Sequence, residues 1–344
     1  MTSSATGLPN PYAVEIIAPD ISAYAAGNTG LPYVWTFDSG VSGPHAAVTA
    51  LVHGNELCGA VALDWLLRLN LRPHQGKLSL VFVNVAAFEQ FDPLVPDGSR
   101  WVDEDFNRLW GEGVLSDPVR PVTQEVLRAR QLLPWLSTVD LLLDLHSMQH
   151  KTEALTIAGP TDKGRQLACD IGWPAIVVSD KGHAEGVRMR DFGDFANPAS
   201  PRNAALVECG QHWETESIEV AKDCVTGFLR HTGVVPVDFA QERMAKRPSR
   251  LPQRVYQVSG PVTIKTDSFF KGIFKFSRCD SDRFQRSKNV GKPQANETNI
   301  ALFNSAKDEL LLLADVLTWG HVGHRAKVKL RQCYKIRARA TYLS

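Results

Sequence analysis

The sequence predicts an α/β domain, its mostly parallel sheet covered by helices on both faces, followed by a smaller β-rich domain. Three observations predict it. Short apolar runs alternate with helical periodicities over the first 235 residues, a proline-containing basic stretch then breaks the rhythm, and short β-branched or aromatic runs follow. A chain of 344 residues encloses a sizeable core, and 44% hydrophobic with 22% charged residues is an ordinary globular composition that excludes wholesale disorder.

The strands are expected at Ala46–Val52, Leu78–Val83, Leu141–Leu145, Ala154–Ala158, Ala175–Val178 and Ala204–Val207, compact apolar runs of strand length. Between them Leu57–Leu69, Thr123–Leu136 and Thr215–Leu229 space apolar residues at helical intervals, the last opening on acidic residues that suit a helix N-terminus. Strands alternating with helices favour a sheet buried on both faces. Val235–Gln253 carries three prolines and four Lys/Arg and reads as a linker. The expected organisation is therefore a domain over 1–235, a linker over 236–253 and a basic, β-rich domain over 254–344. In that last part Arg254–Lys265, Phe269–Phe276 and Leu310–Leu317 are the candidate strands, whereas residues 277–309 lack a strand rhythm.

The formal net charge of +1 argues against a nucleic-acid or membrane-surface binder driven by bulk charge. It hides an asymmetry: residues 241–344 hold 21 Lys+Arg against 8 Asp+Glu, and residues 1–240 hold 17 against 29. The basic part reads as an electrostatic counterpart of the acidic one, with contact to an acidic partner such as nucleic acid as the alternative. No basic and apolar leader opens the chain and no run of about 18 apolar residues occurs, so neither a secretory signal nor a membrane span is expected. The six cysteines are scattered with no C-x-x-C pair, which fits reduced thiols in a cytoplasmic protein.

Four patches carry possible chemistry. In Leu51-Val-His53-Gly-Asn-Glu56, the histidine falls at a strand end and the glutamate in the first turn of the next helix. Strand ends are where open α/β sheets place their sites, and such a turn lets imidazole and carboxylate share a metal, although core histidines also produce H-x-x-E. In Asp144-Leu-His146-Ser147, strand alternation puts Asp144 and His146 on one face. Two histidines and a carboxylate form a common catalytic zinc set, with Asp144 either orienting a ligand or meeting an N-terminus or solvent. Glu208 ends the apolar strand Ala204–Val207. Taken singly it reads first as a salt-bridged glutamate, and beside a metal as a proton carrier. Cys209 next to it reads as packing. Arg100-Trp-Val-Asp-Glu-Asp105-Phe-Asn107-Arg108 is either a solvated loop or a carboxylate clamp with an oxyanion stabiliser.

The ordered set H-x-x-E, D-x-N-R, D-L-H and V-E-x-G resembles the succinylglutamate desuccinylase/aspartoacylase family, relatives of the zinc carboxypeptidases, over roughly residues 40–235. The resemblance implies a zinc carboxypeptidase-like mixed or parallel sheet flanked by helices, with a smaller β-rich C-terminal domain. It implies one zinc per chain on His53, Glu56 and His146, with Glu208 as general acid/base. Arg100 would stabilise the oxyanion, and Asn107 and Arg108 would hold a substrate carboxylate. The implied activity is hydrolysis of the amide of a small carboxylated N-acyl amino acid-like compound. A peptide carboxypeptidase and a non-catalytic binding protein using its basic C-terminal region are the alternatives. Known members use further arginine and tyrosine residues. Here Arg202 is displaced, and Tyr256, Tyr334 and Tyr342 match no family position. The stretch Gly182–Asp191 instead offers His183, Arg188 and Arg190, either a local ion pair or a second substrate clamp. No membrane partner is expected, nucleic acid is disfavoured, and self-association stays open.

Overall fold

The computed structural model describes residues 12–183, 185–246 and 253–262, with strand backbone at 302–304, 309–312, 317–320, 327–330 and 333–337. The chain divides into two compact units, Met1–Arg254 and Val255–Ser344.

In the first unit the order is β1 (Val34–Asp38), β2 (His45–Ala50), α1 (Leu57–Arg68), β3 (Lys77–Phe82), the single turn α2 (Val85–Phe88), α3 (Gln124–Leu136) and β4 (Leu141–Met148). There follow β5 (Leu155–Ile157), α4 (Asp162–Ile171), β6 (Ile176–Ser179), β7 (Asn203–Gln211), α5 (Thr215–Thr232) and α6 (Gln241–Ala245). The strands lie in the order β1-β3-β2-β4-β7-β5-β6. The pairs β3–β2, β2–β4, β4–β7 and β5–β6 are parallel, and β1–β3 and β5–β7 antiparallel.

Alternation along the strands divides the core in two. Leu143, Leu145, Ala205, Val207 and Cys209 face one side, packed with Leu63 and Leu66 of α1 and Val225 and Phe228 of α5. Leu142 and Ala204 face the other, packed with Val126, Ala129 and Leu132 of α3 and with Phe106 and Trp110. Both faces of β4 and β7 are thus buried, which is why these strands read as continuous apolar runs.

The expected strands and helices of this unit are present, with β4 and β7 running further into their polar ends. Besides the single turn α2, β1 and α4 escaped the pattern. β1 is a five-residue edge strand, VWTFD, joined antiparallel to β3. α4 is short and mostly polar, and buries Gly164, Leu167, Ala168 and Ile171, which are spaced along one helical face. It is defined by its ends: Thr161 Oγ1 accepts from Gly164 N at 3.2 Å, and Gly172 closes it at φ 76°. The linker expected over 236–253 also contains the short helix α6.

In the second unit β8 (Arg254–Val262), β9 (Leu302–Asn304), β10 (Glu309–Leu312) and β13 (Cys333–Arg337) pair antiparallel in the order β8-β13-β10-β9. β11 (Leu317–Gly320) pairs with β12 (Lys327–Leu330). The described part is β-structured, and Phe269–Phe276 lies outside the described residues.

Helices α4 and α5 approach closely at Gly227, where an added Cβ would stand 2.2 Å from the Ile171 carbonyl oxygen. Alanine gains about 1 kcal/mol in helix propensity over glycine, whereas overpacking against backbone costs about 1–3 kcal/mol. Gly227→Ala is therefore expected to lower stability, read as a fall in the denaturant midpoint at unchanged slope.

Candidate active site

Three neighbouring parallel strands, β2, β4 and β7, bring the polar residues to one end of the sheet. β2 ends at Ala50, and Leu51 takes the left-handed conformation at φ 61°, an outlier for a bulky side chain. The turn is pinned from β3: Val83 N donates to the Ala50 carbonyl at 2.9 Å and Asn84 N to that of Leu51 at 2.8 Å. His53 follows, and Glu56 is the N-cap residue of α1. Only glycine fits between them, because a Cβ on Gly54 would lie 2.4 Å from backbone atoms of Ala87 and Phe88.

The Glu56 carboxylate sits between two imidazoles. Its Oε1 is 2.6 Å from His53 Nδ1 and its Oε2 2.9 Å from His146 Nδ1. All three side chains are buried, and the candidate ligating atoms lie within 4.8 Å of one another. The outer ring nitrogens also meet carboxylates: His53 Nε2 is 3.1 Å from Asp105 Oδ1, and His146 Nε2 is 2.9 Å from Asp144 Oδ2. An imidazole sharing its Nε2 hydrogen with a carboxylate presents its Nδ1 lone pair to a cation, the usual arrangement of a metal-binding histidine. Two nitrogens and one carboxylate converging in this way fit a divalent zinc-type ion.

Burial works to raise the Glu56 carboxyl, but the imidazoles of His53 and His146 outweigh it and hold it well below its ordinary value. Burial likewise opposes ionisation of Asp105, yet His53, Arg100 and Arg108 keep it far below the usual carboxylate range. Burial would depress His146, and Asp144 with Glu56 raises it instead. Asp144 is itself fixed by Thr49 Oγ1, which donates to its Oδ1 at 2.7 Å. Ser147 N donates to Glu56 Oε2 at 3.1 Å, and Ser147 Oγ is 2.8 Å from His212 Nδ1.

Glu208 stands directly opposite His146 in the β4–β7 register, on the same sheet face and half-buried. Arg100 follows the 3-10 turn Pro96–Ser99, and its Nη1 lies 3.5 Å from Glu56 Oε1. Asn107 and Arg108 belong to a second 3-10 turn, Phe106–Arg108, capped by Asp105, whose Oδ1 accepts from Asn107 N at 2.9 Å. Asn107 Oδ1 accepts from Met189 N at 2.8 Å, which leaves its NH2 as the end that can donate. Arg108 Nη2 is 3.8 Å from Asp105 Oδ2.

Arg188 and Arg190 are engaged elsewhere. Arg188 makes a bidentate pair with Asp180, both contacts 2.8 Å, and a 2.5 Å contact to Asp191. Arg190 pairs with Asp191 and donates to the carbonyls of Ala158 and Ala204. Both are fully buried, so of the two readings of this stretch the structure shows the ion pair, buried rather than at the surface. His183 lies beside it, bridged by backbone to Gly186. Gly186 packs on the Arg108 backbone, where a Cβ would come within 2.3 Å of the carbonyl oxygen. Arg202 is occupied at the far end of the sheet, donating at 2.7 Å to each of the Val139 and Leu136 carbonyls. Asp105 opens the D-x-N-R element, but its contact with His53 required the fold.

A model of the succinylglutamate desuccinylase/aspartoacylase catalytic domain matches residues 42–232, more than half of the chain. The chain belongs to this family. The resemblance read from the four motifs is thereby confirmed. Members of the family are amide hydrolases, specifically deacylases. Among solved structures, a Shewanella frigidimarina protein assigned to succinylglutamate desuccinylase/aspartoacylase is 14% identical, with 90% of this chain and 92% of that one covered at a TM-score of 0.54. The succinylglutamate desuccinylase of Vibrio cholerae is 15% identical, with 90% and 86% covered at 0.52. Both share the fold. A Rhodobacter sphaeroides succinylglutamate desuccinylase/aspartoacylase is 20% identical over 66% of this chain at 0.47, and this chain spans 65% of its length. No curated protein sequence matches.

Asp105 and Asp144 stand behind the histidines of this candidate metal site. Asp144→Asn keeps the side-chain size but weakens His146 as a donor. It should lower zinc affinity about 10- to 100-fold, measured by chelator competition.

Proposed function

We propose that this family member is a zinc-dependent amidohydrolase that cleaves a small carboxylated N-acyl amino acid-like compound into a carboxylate and an amine. The observation that carries the reading is the Glu56 carboxylate held between two Nδ1 atoms, with Arg100 against it and Glu208 on the neighbouring strand. When bound on His53, Glu56 and His146, zinc supplies Lewis acidity for the water and the amide carbonyl.

The chain's own residues do the rest. Glu208 takes a proton from the attacking water as the new C–O bond forms. It returns that proton to the nitrogen as the C–N bond breaks, so one carboxylate is base and then acid. Arg100 donates to the carbonyl oxygen as negative charge develops there. The Asn107 NH2 and the Arg108 guanidinium hold the substrate carboxylate, a planar anion suited to a forked donor. Asp105 and Asp144 orient the two imidazoles.

The chemistry belongs to residues 1–235 in this reading, and the basic residues 254–344 after the 236–253 linker form a separate module. Among the described residues no helix is long and apolar enough to cross a membrane. A small N-acyl compound is the expected partner and the cytoplasm the expected compartment.

Elemental analysis should find close to one zinc per chain. Glu208→Gln should retain that zinc while turnover of N-acyl amino acids falls by about 10²- to 10⁴-fold. Full hydrolysis by a zinc-free protein would contradict the reading. Trimming of peptides in place of N-acyl amino acids would favour a carboxypeptidase.

A further inference from the structure

We propose that Glu125 is a positioning residue for hydrolysis, fixing the backbone of residues 102–104 and thereby the placement of Arg100 and Asp105; the kinetic part of this inference rests on the deacylase reading above. Glu125 lies in the first turn of α3 and is 0% exposed. Its Oε1 accepts from Asn84 Nδ2 at 3.1 Å and from Val102 N at 2.7 Å. Its Oε2 accepts from Asp103 N at 3.1 Å and from Glu104 N at 3.3 Å. These four donors are uncharged amides. A carboxylate is costly to bury without a cation unless its lone pairs are filled, and here three successive backbone N–H groups form a nest around it.

Helix capping does not account for this. Thr123 already caps α3, its Oγ1 accepting from Val126 N at 3.1 Å. What Glu125 adds is the grip on 102–104, which the loop returns: Gln124 N donates to Asp103 Oδ2 at 2.8 Å and Thr123 Oγ1 to Glu104 Oε1 at 2.7 Å. The residues flanking this nest reach the metal cluster from two sides. Arg100 precedes it and lies 3.5 Å from Glu56, and Asp105 follows it and lies 3.1 Å from His53 Nε2. Asn107 and Arg108 have their own supports, Met189 N on the Asn107 side chain and Gly186 against the Arg108 backbone. Glu125 therefore governs the oxyanion donor and the partner of His53 more than the carboxylate clamp.

Glu125→Gln preserves volume but turns an NH2 toward N–H groups. In the full-length zinc-loaded protein kcat should fall about 100-fold, as misplacement near 1 Å does, with KM held within about threefold because uniform binding is untouched. Amide exchange should speed up over residues 101–105 while the rest of the sheet keeps its protection. Wild-type kcat in a folded variant, or a loss carried by KM alone, would overturn the inference. Should Glu125→Gln not fold, Asn84→Ala removes only the side-chain donor and must lower kcat in the same direction by less, with KM unchanged; no change in kcat would count against it. If the wild type hydrolyses no N-acyl amino acid, the deacylase reading fails by itself. Exchange over 101–105 then still decides, and unchanged protection in Glu125→Gln overturns the role of Glu125.

Discussion

A carboxylate buried at the start of a helix must be compensated, and the surroundings of Glu56 are arranged to do that. Each oxygen meets an imidazole, a backbone N–H from Ser147 reaches one of them, and Arg100 approaches the other. Those partners come from β2, β4 and the 100–108 loop, so the ends of separate elements are tied to one side chain. The imidazoles need their own partners, supplied by Asp105 and Asp144. The acids and imidazoles alternate within a buried volume, and a cation taken up by the two Nδ1 atoms and the carboxylate fits the same arrangement.

The strand order makes this possible. β2, β4 and β7 are adjacent and parallel, so their C-terminal ends lie side by side and His53, His146 and Glu208 are neighbours without any long-range contrivance. The face that α1 and α5 cover is apolar along Leu143, Leu145, Ala205, Val207 and Cys209, whereas the face shared with α3 gives way to polar side chains at the strand ends. The loop between α2 and α3 then closes over the site. It contributes Arg100, Asp105, Asn107 and Arg108, and it is anchored back to α3 by Glu125. Strain at Leu51 and the obligatory Gly54 are the local consequences of turning the chain sharply after a buried strand.

Much of this was legible in the sequence, for a physical reason. Strands buried on both faces leave continuous apolar runs, and polar residues interrupting their ends are conspicuous, which is how His53, Glu56, His146 and Glu208 stood out. The D-x-N-R element needed its companions, since charged residues in a loop look alike until partners are known. The contact of Asp105 with His53 was hidden for that reason, and Glu125 looked like an ordinary first-turn acid. Arg188 and Arg190 show the same ambiguity from the other side: Asp180 and Asp191 lie close by in sequence, yet only the fold shows that they absorb both guanidinium groups. β1 is too short, at five residues, to register a period, whereas α4 has one apolar face and is missed because it is short and otherwise polar.

The account turns on the two Nδ1 atoms and the Glu56 carboxylate forming one cation site. Anomalous diffraction at the zinc edge from crystals of the zinc-loaded chain tests this directly. A single peak is expected about 2.0–2.1 Å from His53 Nδ1 and His146 Nδ1 and about 2.0–2.2 Å from a Glu56 oxygen. Zinc bound away from these residues, or no zinc peak at this end of the sheet, would contradict it.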